Sequence, residues 1–268
     1  LPKKLISVFS ISFSAKIWNL LTDHDAHYLY LELRDEEAHQ VSFAAYQLTK
    51  KEMVWQDLRF KESWWIGMSV ADQDILVLHT FENSDNPDEK SFLAFDVNTQ
   101  QIIWESENLQ VIDVKNRKIY GYEKVEGDTV YKCISLEDEA EKEISKEEAF
   151  AALQNFSVEN KYIRHPFHYT EEDAYFETVR KFVLEYLNLQ PIKGCEYLEH
   201  QQFIYISYYI QENKALANYL LVIDKEGTLQ LHEKMDDQLS QLGLGTFMII
   251  RNQLMFIKRK RELVSYAI

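Results

Sequence analysis

Phe92-Leu93-Ala94-Phe95-Asp96-Val97-Asn98-Thr99-Gln100-Gln101-Ile102-Ile103-Trp104 is the stretch on which the fold turns. Phe92 to Val97 is an apolar run rich in strand formers. Asn98 to Gln100 is a polar break, and Ile102-Ile103-Trp104 is a second apolar run, so the segment reads as strand, tight turn, strand. The pattern recurs 49 residues earlier as Phe43-Ala44-Ala45-Tyr46-Gln47-Leu48-Thr49-Lys50-Lys51-Glu52-Met53-Val54-Trp55, in register and without a gap. Such a unit cannot bury both faces of its sheet alone, so further copies are expected to stack on it.

Working outward, residues 65–71 and 74–81 supply two more strands ahead of Phe92. Four strands in about 40–50 residues is the size of one propeller blade. Weaker copies lie at 118–144, at 202–232 with Lys225-Glu226-Gly227 as a turn, and at 247–268. The last copy lacks its apolar-apolar-Trp strand, and the N-terminal Lys16-Ile17-Trp18 offers one to spare. The expectation is an all-β fold: one β-propeller domain over residues 1–268, with five blades, or six if a degenerate unit lies in the 145–194 region. Pairing of the N-terminal segment with the C-terminal strand would close the ring and leave fewer exposed sheet edges.

The strand–turn–strand motif resembles the repeat of bacterial quinoprotein-type (PQQ-like) propellers. In that repeat a strand ending in Leu-Asp leads through a Thr-Gly-Lys turn to an aliphatic-aliphatic-Trp strand. Phe95-Asp96, Thr99 and Ile102-Ile103-Trp104 match, whereas Gln100-Gln101 and Lys50-Lys51 stand in place of Gly-Lys. The whole chain also resembles uncharacterised bacterial propeller-like families. The resemblance implies a fold superfamily that serves both dehydrogenases and non-catalytic scaffolds. It does not imply a quinone: those enzymes are larger rings with a dedicated metal and cofactor site, and no adjacent cysteine pair is present here. No cofactor is expected.

At 268 residues, 46% hydrophobic and 13% aromatic, the chain can bury a large core. With only 7 Gly and 4 Pro, its turns must use Asn, Asp, Glu and Lys. A net charge of −15 argues against nucleic acid and anionic membrane as partners. Cys133 and Cys195 form no paired framework, which points to the cytoplasm rather than export. Lys3-Lys4 and the apolar residues up to Phe13 have a signal-like look, but serines at every second or third position suit a half-exposed strand better.

Residues 145–194 break the strand pattern. Ser145 followed by Glu148 is a capping-box start, and Thr170 followed by Asp173 is a second one. Tyr175, Val179, Phe182, Val183, Tyr186 and Leu187 then fall at helical spacing, with Pro191 and Gly194 as stops. A helical insertion between the third and fourth blades follows, either packing against the ring or carrying specificity on one rim.

Ligand-type clusters are few. Asp23-His24-Asp25-Ala26-His27 holds two imidazoles flanked by carboxylates, residue types that bind Zn. His24 and His27 face opposite sides if extended, so they converge only in a turn. His165-Pro166-Phe167-His168 places two further imidazoles just before the second helix, suited to proton transfer near neutral pH. The oxygen-rich run 83–89 lacks the glycine and spacing of a calcium loop. Trp64-Trp65 is a candidate platform for a sugar or peptide, while Trp18, Trp55 and Trp104 read as packing residues by their recurrence.

Two functions fit. The first is a non-catalytic scaffold binding a protein or peptide, or a small polar ligand. The second is a hydrolase or lyase acting on a sugar or small polar substrate in a central funnel, with His165, His168, Asp23 and Asp25 as candidates.

Overall fold

The computed structural model describes residues 5–81, 89–154 and 161–268, apart from the side chains of 153 and 154. Its first strand is β1 (Ile6–Ser12). The chain divides into two compact units, one spanning Ala15–Lys161 and the other holding the chain up to Ser14 together with Tyr162–Ile268.

The central unit contains three four-stranded antiparallel sheets, each in sequence order. The first is β2 (Lys16–Thr22), β3 (Tyr28–Asp35), β4 (Gln40–Gln47) and β5 (Glu52–Leu58). The second is β6 (Ile66–Asp72), β7 (Ile75–Phe81), β8 (Lys90–Asp96) and β9 (Gln101–Ser106). The third is β10 (Gln110–Lys115), β11 (Lys118–Val125), β12 (Asp128–Ser135) and β13 (Glu141–Ile144). A short helix, α1 (Lys146–Gln154), follows. Its capping box forms as read: the Glu148 N–H donates to Ser145 Oγ (3.0 Å) and the Ser145 N–H to Glu148 Oε2 (2.8 Å).

The repeat seen in the sequence is a repeat of register. Ala45 lies opposite Trp55 and Ala94 opposite Trp104, and in both hairpins the pairing slips directly after the alanine. Lys51 and Gln100 occupy the same left-handed turn position, at φ 59° and 55°. That conformation favours glycine, yet neither residue is one.

Alternation along the strands fills two core layers. Leu76, Leu78, Leu93 and Phe95 join Tyr30, Phe43 and Trp55 between the first and second sheets. Ile75, Val77, Phe92 and Ala94 point the other way and join Val114, Ile119 and Ile134 between the second and third, with Trp104 against them. Burial of both faces explains why β7 opens with the unbroken apolar run Ile75-Leu76-Val77-Leu78. Trp55 and Trp104 thus pack between sheets, as their recurrence suggested.

Trp18 does not share that role. Lys16–Trp18 belongs to β2, the first strand of its sheet, rather than standing as a spare last strand. The pairing of β2 with β3 slips between Ile17 and Asn19, so Trp18 sits at a β-bulge. A bulge re-aims its side chain, and Trp18 is 62% exposed.

In the other unit, β14 (Ile163–Arg164) and β15 (Phe167–Thr170) precede α2 (Ala174–Leu187). The 145–194 segment is therefore only partly helical. The second helix starts at Ala174 rather than at Thr170, because the Asp173 carboxylate bonds back to the Thr170 N–H (2.7 Å) and hydroxyl (3.0 Å) and holds that turn outside the helix. Strands β16 (Gly194–His200), β17 (Phe203–Glu212), β18 (Ala215–Asp224) and β19 (Leu229–Leu239) extend β15 into a five-stranded sheet. Phe176, Val179 and Val183 of α2 pack on Ile206, Tyr208, Leu221 and Ile223 of this sheet, so the helix does packing work.

The last sheet has the order β1–β22–β21–β20–β14, with β20 (Phe247–Ile250), β21 (Gln253–Lys258) and β22 (Glu262–Ala267). The N-terminal strand does pair antiparallel with the C-terminal strand, but through Ile6–Ser12 rather than Lys16–Trp18. The signal-like N-terminal stretch is thus strand from Ile6 to Ser12. Turns use polar residues in left-handed geometry, including Asn116-Arg117 and Asn213-Lys214 between paired strands.

Candidate functional site

At one end of the central unit, the turns that follow β2, β6 and β10 meet. The first is Asp23–His27. Asp23 is buried, and its Oδ1 accepts the Tyr28 N–H at 2.6 Å. His27 Nδ1 lies 3.3 Å from Asp23 Oδ2. Burial pushes the Asp23 carboxyl above the usual carboxylate range, against the opposing pull of the Tyr28 N–H and His27. His24 reaches instead to the third sheet, with Nε2 3.2 Å from Asp113 Oδ1 and 3.3 Å from the Val114 carbonyl. Burial works against charge on His24, but its hydrogen bond to Asp113 and the charges of Asp113 and Asp72 outweigh it and raise the imidazole. Asp25 is exposed beside them.

The two imidazoles therefore serve different carboxylates and do not converge. Among the described residues, no group of three or more His, Cys, Asp or Glu is arranged to hold a metal ion. The other charged groups of this end are engaged with one another. Asp72 Oδ2 accepts the Asn116 N–H at 2.7 Å, and the Tyr30 hydroxyl donates to the Gln73 carbonyl at 3.2 Å. Arg117 bridges Asp74 (2.8 Å) and Asp96 (3.0 Å). Asp96, the residue matched to the repeat's aspartate, also accepts the N–H groups of Asn98 and Thr99. Its role is to fold its own turn and tie two sheets together. Two His–Asp pairs therefore stand at this end, His24–Asp113 beside Asp72 and His27–Asp23.

His165 and His168 lie in the other unit. His165 is exposed between β14 and β15, and His168 is half-buried on β15 opposite Glu196, its buried Nδ1 without a hydrogen-bond partner among the described residues. The oxygen-rich run 83–89 falls, except for Glu89, outside the described residues.

The opposite end of the central unit holds a different surface, built around Arg34. Its guanidinium carbon lies 5.3 Å from the ring centre of Trp18 and 5.2 Å from that of Trp64. Nε donates to Glu32 at 2.7 Å, and the two terminal nitrogens donate to the carbonyls of Trp64 (3.2 Å) and Ile66 (3.0 Å). The His39 ring also stacks on Trp64 at 4.3 Å. Glu62 Oε1 accepts the N–H groups of both Trp64 and Trp65, so the pair sits in a capped turn ahead of β6 rather than on the strand. Trp64 is half-buried in this stack, while Trp65 is 46% exposed and meets Phe81 edge-on at 6.5 Å.

Sequence reading nominated the two tryptophans but missed Arg34 and Glu32. The available signal was a Glu and an Arg set into the strand Tyr28–Asp35 after an apolar run, where charge is costly unless paired.

A family model described as a domain of unknown function, DUF4905, matches residues 22–104, the stretch holding the two in-register repeats. No curated protein matches the sequence. Among solved structures, the chain is similar to BamB from Moraxella catarrhalis at 9% identity and a TM-score of 0.39, covering 98% of this chain and 100% of that one. It is similar to an uncharacterised protein from Listeria monocytogenes at 7% identity and a TM-score of 0.37, covering 93% and 94%. It is also similar to the β-propeller domain of the trilobed protease from Pyrococcus furiosus at 12% identity and a TM-score of 0.33, covering 92% and 65%.

Proposed function

We propose that this protein is a non-catalytic binding scaffold that recognises a protein or peptide through the Trp18–Arg34–Trp64–Trp65 surface. The observation that carries the reading is the Arg34 clamp: a largely buried guanidinium, each of whose three nitrogens donates a hydrogen bond, lies over Trp18 while that ring stays 62% exposed. Aromatic residues presented rigidly to solvent are the usual anchors of protein interfaces. In this reading the five sheets are five propeller blades in one domain, with β1 as the outer strand of the last and the 145–194 segment as an insertion. The free thiols Cys133 and Cys195 suit a cytoplasmic location.

The test is affinity capture from the source cells with wild type and a Trp18→Ala/Trp65→Ala variant side by side. Both side chains are exposed, so the variant keeps its fold. A protein retained by wild type and lost from the variant supports the reading; identical retention by both overturns it.

The His24–Asp113 pair favours a second reading, a hydrolase or lyase for a small polar substrate with Asp23, Asp25 and Asp72 nearby. Turnover of a sugar or polar ester panel that disappears in His24→Gln would move this reading ahead.

A further inference from the structure

Phe81, which Trp65 meets edge-on, lines a depression of about 490 Å³ together with Phe60, Phe92, Leu93, Ile102, Glu105 and Glu107. Glu107 also lines a second, more polar depression of about 760 Å³ that continues towards Tyr122 and Glu126. The two adjoin at Glu107, at the end of the second and third sheets, and the linings of this groove taken together hold six glutamates against three lysines. One of those lysines, Lys90, already lies over the Phe81 ring at 5.2 Å, so the wall accepts a cation against an aromatic face. Among the described residues no ion pair engages Glu105 or Glu107, and both are exposed.

We infer that this groove binds an extended peptide segment in which basic and apolar or aromatic side chains alternate. An extended chain sends alternate side chains to opposite sides. One set would lie against Phe81 and Ile102, and the other would meet Glu105 and Glu107. Apolar contact supplies the anchor, and the carboxylates select sign and steer approach. The volume of this mixed depression lies within the range of small-ligand sites, so it takes one or two side chains rather than a folded domain surface. This inference rests on the scaffold reading and names the chemistry of the partner.

The experiment uses the full chain and a fluorescein-labelled peptide, Lys-Phe-Lys-Ser repeated twice, read by anisotropy. Two companions replace every Lys by Glu or every Phe by Ser. The first peptide is expected to bind saturably, both companions far more weakly, and Glu105→Lys/Glu107→Lys is expected to weaken binding roughly tenfold. The control Glu137→Lys/Glu139→Lys changes net charge equally at exposed sites away from the groove and is expected to bind like wild type. Absence of saturable binding, equal binding of the acidic peptide, or equal weakening by both double variants overturns the inference. If the peptide fails while the Trp18→Ala/Trp65→Ala variant still loses its captured protein, the scaffold reading stands and only the basic-peptide assignment falls.

Discussion

Replacing Arg34 by Met tests the clamp directly. Glu32 is 3% exposed and Arg34 16% exposed, so the pair is largely removed from water. In wild type, Glu32 Oε1 receives Arg34 Nε at 2.7 Å and its Oε2 receives the Met68 N–H at 3.2 Å. Met preserves much of the aliphatic stem but removes all three donated bonds. It leaves Glu32 with one long backbone partner and orphans the carbonyls of Trp64 and Ile66. Removing one member of a buried ion pair costs about 3–5 kcal/mol, mostly from the uncompensated charge left behind. Loss of the two ring contacts adds about 0.5–1 kcal/mol each at such partly exposed sites. A total of about 4–7 kcal/mol is expected from urea unfolding followed by tryptophan fluorescence. Glu32→Gln/Arg34→Met is expected to recover about half of the loss, since no unpaired charge remains. Arg34→Lys should still cost about 2 kcal/mol, because an ammonium cannot reach Glu32 and two carbonyls in one plane while stacking between two rings. A loss below about 1 kcal/mol for Arg34→Met, or a double variant no better than the single, would refute the claim that Arg34 organises this surface.

Two further predictions follow from backbone strain and titration. Gln100, held at φ 55° in the repeat turn, is expected to lose about 1–2 kcal/mol on change to Val and nothing on change to Gly, because a β-branched side chain resists the left-handed region and glycine does not; unfolding curves at pH 7 decide it. His79 is lowered to about 4 by burial, with the charges of Lys90 and Arg34 acting the same way, while His24 is raised by Asp113 and Asp72 against its burial. The signs oppose: the His79 contribution is present above its unfolded value of 6.5 and is lost as pH falls towards about 4, whereas that of His24 is present below 6.5 and fades as pH rises through its folded value. Wild type minus His79→Phe stability should therefore shrink on acidification, and wild type minus His24→Gln should grow.

Much of the secondary structure was legible in the residues. Alternating and doubly apolar runs mark strands because side chains on a pleated sheet have a period of two. The 49-residue offset between Phe43 and Phe92 exposed a repeat that proved to be shared register, down to the slip after Ala45 and Ala94. The capping box at Ser145 and the use of polar residues in left-handed turns were readable for the same reason: each is a local interaction between neighbours in the chain.

What the residues alone could not supply was everything set by distant pairing. Lys16-Ile17-Trp18 and Ile102-Ile103-Trp104 look alike, yet one is a bulged first strand with an exposed tryptophan and the other a last strand whose tryptophan packs on a core. Strand order decides between them, and strand order depends on partners far along the chain. His24 and His27 are three residues apart in sequence but are drawn apart by Asp113 and Asp23, carboxylates 89 residues and 4 residues away. Arg34 became the centre of a surface only when folding brought Trp64 and Trp18 to it. Local chemistry wrote the strands and turns; the pairing of sheets, which no short window contains, chose which side chains would meet.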